Sequence, residues 1–185
     1  AKNSATDVYG GAFLGADSGE SIEVVDSTIS GNTADVASGL VMGGALADSK
    51  LIANSTIAFN HESTTTSSQC AGALSLGGRL HLQSTIVANN NCNGTPRDIG
   101  GDAAFGDVLD GADNLIRSSD LAVPPGTLSA NPLLGALANN GGPAAPEAHA
   151  VLEDAARRAG LAPVFGEAAL VPAAFCRAEV TADRR

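Results

Sequence analysis

The 185-residue chain has no Trp, one Tyr, one Met and five Phe, so aromatics make up only 3% of it. Each buried aromatic supplies about 150–250 Å² of apolar surface. Without them a thick globular core is hard to fill, and the many Ala residues point to a thin, repetitive one. Basic residues are scarce as well: ten Lys and Arg stand against twenty Asp and Glu, a formal charge of −10. That field repels a phosphate backbone and excludes nucleic-acid binding. No apolar run approaches the roughly 18 residues of a membrane-spanning helix. The opening Ala1-Lys2-Asn3-Ser4 carries neither an initiating Met nor an apolar signal core, so the chain reads as an internal or processed piece. Its three Cys are too few for a disulfide scaffold and lack metal-site spacing. Cys70 and Cys92, near neighbouring turns, either pair in an exported protein or stand as isolated thiols.

What the chain does contain is 22 Gly, abundant Ser, Thr and Asn, and a repeat. Ser-Thr-Ile followed by Asn occurs at Ser27-Thr28-Ile29 with Asn32, Ser55-Thr56-Ile57 with Asn60, and Ser84-Thr85-Ile86 with Asn89, so the isoleucines are 28 and 29 residues apart. A second marker accompanies it: Gly10-Gly11-Ala12-Phe13, Gly43-Gly44-Ala45-Leu46 and Ala71-Gly72-Ala73-Leu74. Two markers recurring together at such a period define stacked repeat units. Between them lie short β-branched or alternating segments, Ile22-Glu23-Val24-Val25, Leu51-Ile52-Ala53 and Leu80-His81-Leu82, bounded by turn residues as strands are. The expected fold is all-β, a solenoid of stacked parallel strands. In it Ile29, Ile57 and Ile86 stack inside, and Asn32, Asn60 and Asn89 form an amide ladder at a turn. Aligned on the isoleucines, Leu80 and Leu82 fall one register from Ile22 and Val24, so small bulges or length changes are expected between coils.

The strings Gly-Gly-Ala-Leu, Asn54-Ser55-Thr56-Ile57-Ala58-Phe59-Asn60 and Ser84-Thr85-Ile86-Val87-Ala88-Asn89-Asn90 resemble bacterial right-handed parallel β-helix repeat proteins, which implies that fold. The run Asp110-Gly111-Ala112-Asp113-Asn114-Leu115-Ile116, then Asn131-Pro132-Leu133-Leu134-Gly135 and Leu137-Ala138-Asn139-Asn140-Gly141-Gly142-Pro143, resembles the end of the β-helix in choice-of-anchor Q or polymorphic outer-membrane-like proteins. The resemblance covers roughly Val8 to His149. It implies an extracellular or bacterial cell-surface solenoid and no particular catalytic residue. After His149 the chain departs from that pattern. Acidic residues early, Arg157 and Arg158 late and a terminal Gly160 predict a capping helix over 147–159. Residues 1–145 are thus expected to form the coils and their terminal segment, and 146–185 a divergent tail. A shifted reading frame near residue 153 is the alternative account of that tail.

No nucleophile elbow, zinc-binding His pair or phosphate loop is present. Asp98, Asp102, Asp107, Asp110 and Asp113 fall within sixteen residues. Gly106-Asp107-Val108-Leu109-Asp110-Gly111 faintly resembles one calcium-binding nonapeptide, making Asp107, Asp110 and Asp113 calcium candidates, with solvated loop carboxylates as the plainer reading. A glycosidase needs two carboxyls about 5–10 Å apart, and Asp26 offers one, although Asn54 and Gln83 follow it as a polar turn column. Lys50 and Arg79, each seven residues before its Ile, suggest a basic step on one face. His61, His81 and His149 do not cluster in sequence. These features favour a non-catalytic, adhesin-like scaffold whose partners are glycans or surface proteins. The alternative is a polysaccharide lyase or glycoside hydrolase sharing its site with missing coils.

Overall fold

The computed structural model describes residues 3–5, 10–15, 19–43, 49–64, 70, 72–135 and 179–181. Their architecture is a parallel β-solenoid of about three turns. The first three turns each contribute one strand to each of four sheets, and a partial fourth adds a strand to each of the first three. The first sheet stacks Ala12–Leu14, Leu40–Met42, Leu74–Leu76 and Ile99–Gly100. The second stacks Ser21–Val25, Ser49–Ala53, Arg79–Gln83 and Val108–Ala112. Thr28–Ser30, Thr56–Ala58, Ile86–Ala88 and Leu115–Ile116 form the third. Thr33–Ala34, His61–Glu62 and Asn91–Cys92 form the fourth, to which Thr95–Pro96 adds antiparallel. Glu179–Thr181 runs antiparallel along Ser21–Val25.

Strand alternation places every second side chain inside. Val24, Ile52 and Leu82 stack in one inward column, Ile29, Ile57, Val87 and Ile116 in another, and Leu40, Leu74 and Ile99 in a third. Each such buried aliphatic side chain contributes about 1.5–3 kcal/mol, and this thin stack replaces the aromatic core the chain lacks. In the second sheet's last strand Gly111 faces Leu82. Its φ is 115°, and a Cβ there would lie 1.8 Å from the Leu82 carbonyl oxygen, so no other residue fits.

Two corners hold the turns together. Between the second and third sheets Asp26, Asn54, Ser84 and Asp113 take left-handed φ of 50°, 49°, 49° and 58°. The residues after them tie the corner to the strand before it: the Ser27, Ser55 and Thr85 hydroxyls donate to the carbonyls of Val25, Ala53 and Gln83. Between the third and fourth sheets Gly31, Phe59 and Asn89 are left-handed, and the residues that follow form the amide ladder. Asn3, Asn32, Asn60 and Asn90 are linked in order, each donating its backbone and side-chain N–H to the Oδ1 above at 2.8–3.1 Å, with Asp98 as the last acceptor.

The expected ladder is therefore right in kind but displaced in its third member, Asn90 in place of Asn89. The strands explain why. The second turn repeats the first at 28 residues, but the third follows at 30 in the second, third and fourth sheets. Val87 pairs with Ile57, while Ile86 pairs with Thr56 and faces outward. The same offset restores Leu82 to the column of Val24, without a register conflict. The second marker also slips. Ala12 pairs with Leu40 and Leu40 with Leu74, so Gly39, not Gly44, matches Gly11. A Cβ at Gly39 would lie 2.3 Å from the Ala73 carbonyl oxygen, which is the close approach that requires glycine there.

After the last strand the chain folds back over the stack. Ile99 N–H donates to Ser118 O and Asp120 N–H to Ile99 O, Leu121 enters the main core, and Leu128 pairs with Leu115. Leu128 and Leu134 pack on Ile86, Ala88 and Leu115, covering the outer face of the third sheet. The helix expected over 147–159 and the boundary at 146 lie outside the described residues. A disulfide joins Cys70 to Cys92, with Cα atoms 5.9 Å apart.

Candidate functional site

On the outer face of the second sheet the first two turns present Ser21, Glu23 and Val25, then Ser49, Leu51 and Ala53. The third presents Arg79, His81 and Gln83 beside Val108, Asp110 and Ala112 of the fourth. Strand spacing of about 4.8 Å brings these polar groups into contact. Arg79 Nη1 donates to Asp110 Oδ2 at 2.5 Å, and His81 Nδ1 lies 2.7 Å from Asp110 Oδ1. Gln83 Nε2 donates to Asp113 Oδ2 at 3.0 Å. Partial desolvation raises the Asp110 carboxyl, but the hydrogen bonds and charges of His81 and Arg79 outweigh it, and its pKa lies below the usual carboxylate value. The side chains of Arg79, His81 and Asp110 are 65%, 49% and 35% exposed, so the cluster is presented to solvent while its members fix one another. A guanidinium, an imidazole, a carboxylate and an amide on one sheet face make a varied set of donors and acceptors for a polar ligand.

The other sequence candidates go elsewhere. Lys50 is not a basic step beside Arg79. The pairing of Leu51 with His81 sets it level with Leu80, and it is buried, its stem filling an interior position while Nζ donates to Gly77 O at 2.7 Å. Asp107 is buried and accepts from Gly78 N at 2.7 Å and Asp102 N at 2.9 Å. Asp102 also caps the short 3-10 turn Ala103–Phe105. Asp98 ends the ladder and accepts from the Ser118 hydroxyl. The calcium candidates Asp107, Asp110 and Asp113 are thus each engaged by a different set of donors. The polar turn column containing Asp26 and Asn54 continues with Ser84, not Gln83. His61 Nδ1 lies 2.6 Å from Asn91 Oδ1, and His149 is outside the described residues.

A second cluster lies inside the fourth sheet, where Glu62 pairs with Cys92. The Glu62 carboxylate, fully buried, accepts from the backbone N–H of Ala37 and of Gly72, the latter at 2.9 Å. It thereby braces the turns entering the second and third coils beside the Cys70–Cys92 disulfide. Glu62 belongs to no motif in the sequence, and His81 does not cluster there with the other histidines. The available signal was spacing: His81 precedes Asp110 by 29 residues and Glu62 precedes Cys92 by 30, each one repeat.

The fold defines the class of protein as a parallel β-solenoid. No protein-family model matches the chain, and neither the curated proteins nor the solved structures contain a match to it.

Proposed function

We propose that the chain is a non-catalytic extracellular or cell-surface scaffold, adhesin-like, that binds a glycan or an envelope or host surface. It is of the choice-of-anchor Q or polymorphic outer-membrane-like type its sequence resembles. The observation that carries this reading is the Arg79–His81–Gln83–Asp110 cluster, exposed on the outer face of the second sheet. Sugars present hydroxyls, and sometimes carboxylates, that such mixed donors and acceptors recognise, and the interlocked side chains lose little freedom on binding. Ser21, Glu23 and Ser49 on the same face add polar contact points beside the cluster for an extended ligand. The disulfide supports an oxidising, extracellular setting.

The His81–Asp110 contact favours a second reading, a lyase or hydrolase in which His81 moves a proton under the orientation of Asp110. A glycan array probed with the wild-type chain and with Arg79→Ala/His81→Ala tests both. Selective binding lost in the double variant, with the bound oligosaccharides intact, supports the scaffold. Shortened oligosaccharides support the enzyme, and equal binding by both chains removes this face from the account.

A further inference from the structure

We propose that Glu62, Cys70 and Cys92 become, when the disulfide is reduced, a binding site for a thiophilic divalent cation of the zinc class. One ligand atom from each residue already lies within 4.8 Å of the others. Their arrangement is set by the fold: Glu62 and Cys92 are paired neighbours in the fourth sheet, 0% and 2% exposed, and Cys70 is held beside them. Thiolates and carboxylates are both zinc ligands, with Zn–S about 2.3 Å and hence sulfurs about 3.7 Å apart in a tetrahedral site. Side-chain rotation on Cα atoms 5.9 Å apart supplies that separation.

Glu62 is oriented before any ion arrives. The N–H groups of Ala37 and Gly72 hold its oxygens, as outer-shell donors hold a ligating carboxylate. Cys70 is only half-buried, which leaves the fourth position of a tetrahedral site open to water. The coil before it places Ala34 where the second has Glu62, so the stack itself does not demand a carboxylate at this point.

The chemistry balances with a thiol as reductant. Two equivalents of a low-molecular-weight thiol supply two electrons and two protons, the S–S bond breaks into two thiols, and the donor leaves as its own disulfide. The cation then displaces the two thiol protons and sits between the sulfurs and Glu62. Oxidation reverses the sequence and expels the ion, so the same residues are a covalent clip or a metal site according to redox state.

The test uses the whole chain with Cys176→Ser, which removes the third thiol. After reduction with a phosphine and anaerobic desalting, Co²⁺ is titrated and the thiolate-to-cobalt charge-transfer band is followed. The proposal expects one ion per chain, no band in the oxidised protein, and an affinity at least about tenfold weaker in Glu62→Gln. Circular dichroism of the reduced chain is recorded alongside. No band on reduction, equal affinity in Glu62→Gln, or binding that accompanies loss of β-structure would each overturn it. The comparison of oxidised and reduced protein needs no variant at Glu62, so it stands even where that variant fails to fold.

Discussion

Asn60 is the ladder member with most to lose. It is 0% exposed, and its neighbours Asn32 and Asn90 are each 1% exposed, so water cannot replace a lost partner. Its Oδ1 accepts from Asn32 N at 3.1 Å and Asn32 Nδ2 at 2.9 Å, while its Nδ2 donates to Asn90 Oδ1 at 2.9 Å and Ile29 O at 3.0 Å. Asn60→Ala deletes these four side-chain bonds. At about 1 kcal/mol net for each bond, and more where a buried group is left unsatisfied, the loss is about 3–5 kcal/mol. That is a large share of a typical domain stability of about 5–15 kcal/mol. Urea denaturation followed by far-UV circular dichroism should show the midpoint fall with the slope unchanged. The control is Asn89→Gly. Asn89 has φ 61°, which glycine accepts, and its side chain takes a bond from Arg117 outside the ladder. Its loss should stay under about 1 kcal/mol. An Asn60→Ala cost below about 1 kcal/mol, or one matched by Asn89→Gly, would refute the ladder as a stabilising column and its placement at Asn90.

Thr56 is 5% exposed and its hydroxyl has no hydrogen-bond partner among the described residues, so Thr56→Val should raise stability by about 1 kcal/mol in the same assay; a loss would reveal a partner. Gly111→Ala forces a Cβ into the Leu82 carbonyl and should cost more than about 3 kcal/mol, with amide exchange accelerated along Val108–Ala112; a neutral result contradicts the close approach. The depressed Asp110 pKa contributes stability that is fully present above the unfolded carboxylate value and is lost as pH falls through the lower folded one. Asp110→Asn should therefore cost up to about 1 kcal/mol at pH 6 and less at pH 3. An equal cost at both would show that its bonds, not its charge, matter.

The solenoid and its period were legible because one fold-defining residue set, Ile with Asn three positions on, returns with nearly constant spacing. Register was harder. Ser84-Thr85-Ile86 copies the motif one residue ahead of its structural equivalent, since Ser or Thr serves equally at the corner and Val87 fills the interior place of Ile57. In the tandem Asn89-Asn90 the first amide residue takes the left-handed corner and the second the ladder, a choice made by the stacked neighbour and invisible in one strand. Lys50 was misplaced on the surface although strand parity sets it with Ile52, inside; its charge concealed a stem long enough to reach Gly77 O. The Arg79–His81–Asp110 cluster and the Glu62–Cys92 pairing required counting one repeat along the chain. Proximity in sequence does not carry over to the fold for Asp107 and Asp110, which lie inside and outside the stack respectively.

The central proposal is that the face bearing Arg79, His81, Gln83 and Asp110 holds a glycan without altering it. The direct measurement is a titration of the chain with an array-selected oligosaccharide, following the His81 ring resonances by NMR and the sugar's length by mass spectrometry. The account predicts saturable shifts at His81, absent in Arg79→Ala, with the oligosaccharide unchanged in mass. His81 resonances that do not move on binding, or an oligosaccharide that is cleaved, would contradict it.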